Sequence, residues 1–539
     1  MRSRPGWRLG LVAAVAASLG FTLLQPASGD AALPTGAPSD TAAADGAEGL
    51  GFAVQLGPEQ RVIGPTDQGD NPYFSETRNG KLYGYFGTSR TVEWRSKANK
   101  RLSHPRVIID RGLPGKFDDC GAWLNGSIQK YGRHWVAFYH SEGSTGGHGC
   151  DPYGKTNVDR MAIVESTNAG LTWRRPNYPN NVVLAGEGAT ASHGLSNANG
   201  GRVVRIGEYL YIFYRTRGER NGASGIHMAR ALASGFGRPG TWKKYYCTSP
   251  VIGTPVCSWN QDGIGGKSTP IGGLSEKSRF VIWNAALNRW IGLDASGKQG
   301  FRMFASQVGS GATDDARQYN ALFDDHGFPM KWAGSEDVYP LVSTENDKYV
   351  DQWGGTVRNA RSKQLYAYPS LGGLQGQSCC TGSSFYIYYV KLFPGDKFTK
   401  RYLFRREVKV IATDQALNRV ELTTYKNRKG KRFSSTEAPK SKSYKRQGAV
   451  GYLLAHGEVA GWKQVFDCTR RGDHALYANK CKTGWKPYRR VGFVYPQKTT
   501  TASVAVYRCY AKKSHYASSS RGCDGGKREA RLGFAMKGF

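Results

Sequence analysis

Beyond Leu24 the sequence has no second long apolar run, so no membrane span is expected after the first thirty residues. Acidic residues are scarce. Only 41 Asp and Glu stand against 75 Lys and Arg, a formal net charge of +34 that draws a chain toward polyanions. No stretch shows the apolar spacing of an amphipathic helix, which sets aside helical and α/β classes. There is no His/Cys set with zinc spacing, no Walker-type phosphate loop and no nucleophile elbow, so no metal or cofactor is expected. A propeller leaves room for a structural calcium, but nothing in the sequence indicates one.

The one apolar run, Leu9 to Leu24, follows the basic start Met1 to Arg8 and precedes the small-residue stretch Pro26 to Ala32. This order is that of a secretory signal peptide spanning 1–31. A secreted, extracellular chain keeps its cysteines oxidised. The ten cysteines, Cys120, Cys150, Cys247, Cys257, Cys379, Cys380, Cys468, Cys481, Cys509 and Cys523, are an even number. Pairing between neighbours is the simplest arrangement, although spacing alone leaves connectivity open. Residues 32–50 hold small, polar and turn-forming types and read as a linker.

Residues 51–398 alternate short strands with Gly, Asn, Asp and Ser turns. Aromatic-rich strands recur at 82–86, 135–139, 209–214, 280–283 and 365–368. Five such strands, each with further strand text nearby, predict a five-bladed β-propeller rather than a sandwich. A sixth blade stays open.

Residues 399–539 differ. Residues 401–539 hold 31 Lys and Arg against 9 Asp and Glu. Gly451-Tyr452, Gly492-Phe493 and Gly533-Phe534 recur every 41 residues, and Cys468/Cys481 and Cys509/Cys523 have nearly equal spans. Three repeats rich in Tyr, Phe and Val predict a β-trefoil-like domain, with three stacked hairpins as the alternative. The whole reads as all-β: a five-bladed β-propeller followed by a three-repeat, β-trefoil-like binding domain.

Several motifs carry a family likeness. Ser166-Thr167-Asn168-Ala169-Gly170-Leu171-Thr172-Trp173 resembles the Asp-box turn of sialidases and other propellers, with Asn for Asp. Its role there is structural. The text Thr66-Asp67-Gln68-Gly69-Asp70-Asn71-Pro72-Tyr73, with Asn79 to Gly87, resembles the opening blade of furanosidase-like glycoside hydrolases, the arabinanase and fructosidase group. His193 to Asn197, Tyr209 to Tyr214, Arg238 to Tyr245, Gly263 to Pro270 and Ile282 to Asn284 continue the likeness. The tail pieces Val506-Tyr507-Arg508-Cys509-Tyr510, Ser514-His515-Tyr516 and Gly533-Phe534 resemble bacterial extracellular repeat domains appended to secreted hydrolases.

The resemblance implies glycosidic bond cleavage with a furanoside such as arabinan favoured, and that chemistry needs two carboxyl groups flanking the bond. Asp70 matches the opening Asp and is the candidate base or nucleophile, with Asp67 its rival. Glu142, where an aromatic strand reaches His140 and a Gly-rich loop, is the candidate acid. The Asp118-Asp119 pair, Asp119 foremost, offers the third carboxylate expected to keep that acid protonated, and Asp262 and Asp351 are reserves. Trp123, His140 and Trp283 are expected to line the sugar site. Cys379 and Cys380, if joined to each other, offer either a sugar platform or a loop constraint. The expected partners are a polysaccharide substrate and, for the basic tail, an anionic or carbohydrate polymer such as cell wall. A monomer without nucleic-acid binding is expected. A noncatalytic lectin-like protein and a polysaccharide lyase are the competing readings.

Overall fold

The computed structural model describes residues 50–537 except 97–101, 127, 145–149, 151–156, 191–196, 218–224, 249–254, 273, 275–279, 297–299, 341–347, 350–364, 378, 398, 412–417, 456–461 and 499–502. The expected signal peptide and nearly all of the linker lie outside the described residues.

The chain is all-β, and its sheets follow one another in a propeller arrangement. The first holds Phe74–Arg78, Lys81–Tyr85, Thr91–Ser96 and Ser103–Ile109 in chain order, all antiparallel. Its opening turn is Asn79-Gly80, both left-handed, as a two-residue hairpin requires. The second centres on Gly121–Leu124, His134–Gly143 and Val158–Ser166, and the third on Asn197–Asn199, Tyr209–Arg217 and Ile226–Leu232. The fourth joins Val281–Asn284, Arg289–Ser296, Gly300–Ala305 and Ala333–Pro340. These four sheets are separate; the strands expected to make a fifth are not.

They belong to a fifteen-stranded sheet that runs on into the tail. Within it Leu365–Gly373, Ser384–Leu392 and Arg401–Ile411 lie side by side. The last strand is long enough to take two partners. Gln60–Thr66 pairs along its first half and Ala53–Leu56 along its second. Ala53–Leu56 also pairs, in parallel, with the first tail strand Arg419–Lys426. One short strand is thus bonded on both edges.

The tail consists of three like units. Each has a first strand (Arg419–Lys426, Lys463–Arg470, Ser503–Ala511), a hairpin partner (Arg432–Ser435, Asp473–Ala478, Ser514–Ser518) and a long third strand (Lys445–Leu454, Lys486–Val494, Lys527–Met536). The recurrent glycine has a steric cause. A Cβ on Gly492 would lie 2.9 Å from Leu453 Cβ, and one on Gly533 would lie 2.4 Å from Val494 Cγ2, so each glycine lets the strand of a neighbouring unit pass close.

One apolar cluster serves both regions. Ile282, Phe301, Tyr366 and Phe385 share it with Leu453, Val465, Val506 and Leu532. Beside it runs a chain of buried charges: Glu59, Lys391, Glu437, Arg489 and Asp467. The disulfides pair as nearest neighbours: 120–150, 247–257, 379–380, 468–481 and 509–523. Among the described residues one α-helix interrupts the strands, Asp314–Asn320, which apolar spacing does not announce because it buries no residue. Its signal is its cap. Thr313 accepts from the Ala316 amide, and Asp314 and Asp315 fill the first turn.

Candidate active site

Residues directly opposite in an antiparallel pair point to the same face of a sheet. In the second sheet Trp123 lies opposite His140, Gly121 opposite Glu142, and Glu142 opposite Asp159. Trp123, His140, Glu142 and Asp159 therefore share one face. Gly121 contributes no side chain, and a Cβ there would fall 2.0 Å from the Trp123 ring, so the indole lies over the glycine. The Trp123 and His140 rings stack at 5.4 Å and 17°. Glu142, which is buried, has His140 Nε2 at 3.3 Å from Oε1 and accepts from Asn157 Nδ2 at 2.7 Å on Oε2.

The third sheet closes over this face. Asn199 Nδ2 donates to Asp159 Oδ2, and Asn197 Oδ1 accepts from the Asp159 amide at 2.9 Å. The Gly200 amide donates to His140 Nδ1 at 3.4 Å. Ligand atoms of His140, Glu142 and Asp159 all lie within 4.8 Å of one another, a spacing that could hold a metal ion.

Asp70 sits in a loop pinned by the Gly69 and Asp70 amides to the Gly87 carbonyl. Gly69 has φ +116°, and a Cβ would collide with the Phe86 ring at 2.4 Å, so only glycine brings the loop so near. Tyr368 donates its hydroxyl to Asp70 Oδ1 at 2.6 Å, and Arg401 Nη1 lies 3.8 Å from the same oxygen. Tyr368 comes from Leu365–Gly373 at a bulge between Ala367 and Ser370, with φ +53° just before Pro369. A proline cannot donate to the ladder, and the bulge re-aims the side chain before it.

Burial raises the Tyr368 hydroxyl well above its ordinary pKa, and the Asp70 charge raises it further, against a lowering by Arg401. The Glu142 charge adds a smaller rise. The hydroxyl keeps its proton and feels both carboxylates. All these groups also lie at one end of their strands. Asp70 precedes Phe74–Arg78, Gly121 and Asn197 open theirs, and Tyr368 is near the start of Leu365–Gly373.

Other expected residues lie elsewhere. Asp119 uses both oxygens to tie its loop to the residue that follows His134–Gly143, accepting from the Gly115 amide and from the Ser144 amide and hydroxyl, each at 2.7 Å. Asp159 takes the place beside Glu142 that was expected of it. Asp118, next to it, is fully buried between Tyr139, Tyr178 and Arg175; burial raises its carboxyl pKa against the lowering by Arg175. Trp283 packs in the core against Trp290 at 5.5 Å and pairs with Cys380. The Cys379–Cys380 loop meets the first sheet where Thr77 donates to the Gln375 carbonyl at 2.5 Å. Thr77 is near the finish of the strand that begins beside Asp70. Trp283, Cys379 and Cys380 thus sit at the far end of the inner strands. Asp67 is exposed and accepts from Gln68 Nε2, and Asp262 is exposed and paired with Lys243 at 2.6 Å. Asp351 and His193 lie outside the described residues. The Asp-box is structural, with Asn168 Oδ1 accepting from the Thr172 amide at 2.9 Å and Ser166 Oγ from Gly170 at 2.8 Å.

Tyr368, Arg401 and Asp159 escape the sequence reading. Tyr-Pro inside a strand was a usable signal for the first, and polar residues opening the apolar run Val158–Ser166 for the last.

No family model matches the chain, and no curated protein matches it. Among solved structures it is similar to an alpha-L-arabinofuranosidase from Lactobacillus brevis, at 12% identity over 64% of this chain and 90% of that one, with a TM-score of 0.35. The catalytic domain of a Coprinopsis cinerea alpha-L-arabinofuranosidase gives 13% identity, 66% and 96% coverage and a TM-score of 0.35. A Cellvibrio cellulosa alpha-L-arabinanase complexed with arabinohexaose gives 10% identity, 70% and 96% coverage and a TM-score of 0.36.

Proposed function

We propose that the chain is an extracellular glycoside hydrolase with Asp70 as base or nucleophile and Glu142 as acid. The observation that carries this reading is Tyr368, whose buried hydroxyl bonds one carboxylate and feels the other at the same end of the inner strands. Glu142, with His140 and Asn157 on its two oxygens and Asp159 beside it, is the group placed to give a proton to the leaving oxygen. Asp70, held by Tyr368 and Arg401, then serves the opposite face of the sugar. Trp123 and His140 supply a stacked wall beside the acid.

In this reading Leu365–Gly373, Ser384–Leu392, Arg401–Ile411 and Gln60–Thr66 form the fifth blade, closed by the early strand. The three-unit tail is a β-trefoil-like module that holds the enzyme on an anionic or carbohydrate polymer. The test is hydrolysis of a panel of furanose and acidic polysaccharides by wild type, Asp70→Asn and Glu142→Gln. Each variant is expected to lose about 10²–10⁴-fold in kcat. Unchanged turnover in both overturns the assignment. A lyase is the second reading, favoured by Tyr368, His140 and Arg401 around the same site; an unsaturated product absorbing in the ultraviolet would establish it.

A further inference from the structure

The three tail hairpins bring their turns together. The Arg432 amide, just past the first turn, donates to Ser514 Oγ of the third at 2.9 Å. The Lys512 side chain lies across Gly430, where a Cβ would be 2.8 Å from its Cδ and 3.1 Å from its Nζ. Asp473, at the second turn, meets His515 Nδ1 at 2.6 Å. The three turns therefore share one pole of the tail.

Every turn is basic at its tip. The first exposes Arg428, Lys429 and Lys431, the second Arg470 and Arg471, and the third Lys512 and Lys513. Among the described residues none of these side chains is in an ion pair, while the tail's Glu421, Asp467, Asp473 and Glu529 are paired with other groups. Backbone geometry adds a second, independent sign. Lys512 and Lys513 occupy the two central turn positions with φ +46° and +59°. Asn-Gly suits that conformation, whereas two lysines adopt it at a steric cost. The cost places two ammonium groups at the tip.

We infer that this pole is a docking surface for an acidic polysaccharide. Cations alone would suit any polyanion, but each turn is flanked by rings: Phe433 with Tyr444, His474 with Tyr488, and Tyr510 with His515. Tyr510, 37% exposed, stands directly before the lysine pair. Aromatic faces take sugar rings while the ammonium and guanidinium groups take their carboxylates. The tips carry no apolar side chain to enter a lipid surface. The inference rests on the tail's proposed role in holding polymer, and not on the assignment of Asp70 and Glu142.

Binding of the full chain to polygalacturonate, by calorimetry at rising salt, tests it. Wild type should bind, more weakly as salt screens the charges. Lys512→Asn/Lys513→Gly relaxes the turn and should keep or raise Tm, yet weaken binding about tenfold at low salt. Arg111→Asn/Lys116→Asn removes the same charge from the propeller and should bind as wild type. Equal weakening by the two pairs would overturn the inference in favour of bulk charge. Tighter binding to duplex DNA or phosphatidylglycerol vesicles than to polygalacturonate at equal salt would overturn the partner class. Asp70→Asn protein should bind as wild type whether or not it hydrolyses anything; loss of binding there with the turn variant unaffected would move the surface to the propeller and overturn it too.

Discussion

Tyr368 is the residue on which the site's two halves converge. Because its hydroxyl stays protonated, its work is to fix the Asp70 carboxylate by donation, and Tyr368→Phe removes only that bond. The expected result is about a tenfold loss of kcat with little change in KM and a displaced acid limb of the pH profile. An unaltered profile would leave Tyr368 as packing. Gly121 offers the complementary case. Gly121→Ala pushes a methyl into the Trp123 ring and should cost about 1–3 kcal/mol of stability, readable by urea denaturation. Residue-scale reading of the sequence named Asp70 from its likeness to an opening-blade motif, and Trp123, His140 and Glu142 from aromatic and polar residues in strand text; the structure places the last three on one face. The sequence reading missed Tyr368 and Asp159, since a period of two gives the face of a strand but not which neighbouring sheet covers that face.

At the scale of elements, the bond between propeller and tail lies in strands that bury charge. Lys391, in Ser384–Leu392, is fully buried and joins Glu59 to Glu437. Lys391→Met leaves the Glu59 carboxylate without its ammonium partner and should destabilise the chain by about 3–5 kcal/mol in denaturant melts. Strand direction explains where expectation and structure part. Trp283 and the Cys379–Cys380 pair have suitable chemistry for a sugar platform, but sequence text does not say which end of an inner strand opens beside Asp70. The disulfides were legible because each pair closes a local loop. The junction of Arg401–Ile411 with Ala53–Leu56 and Gln60–Thr66 was not, since no local pattern marks a partner some 350 residues away.

For the whole molecule, the shared apolar cluster and the buried charges make propeller and tail one thermodynamic unit. Calorimetry of the full chain should show one cooperative transition; two well-separated transitions would contradict the shared core. Its pH dependence has two limbs. Burial raises the Glu437 carboxyl, but Arg489 and Lys391 outweigh it and hold it far below the usual carboxylate range. A depressed acid contributes stability above its ordinary pKa, so stability should fall as pH drops below about 4.5. Burial lowers His474, but Asp467 outweighs it and raises the ring above its usual value. That contribution is complete at acid pH and fades as pH rises through the raised value, above about 6.5. Melting temperatures across pH 3–9 should therefore peak between the two limbs, and His474→Gln should flatten the alkaline one.

The doubly bonded strand Ala53–Leu56 also sets a clock. A ribosome making about 5–20 residues per second needs roughly 20–70 s to go from this strand to its partners in Arg401–Ile411 and Arg419–Lys426. Through that interval the earliest strands of the fold wait with both edges open. If these strands form the proposed fifth blade, ring and tail are completed together late in the chain, and a folding helper that shields strand edges would matter most for Ala53–Leu56.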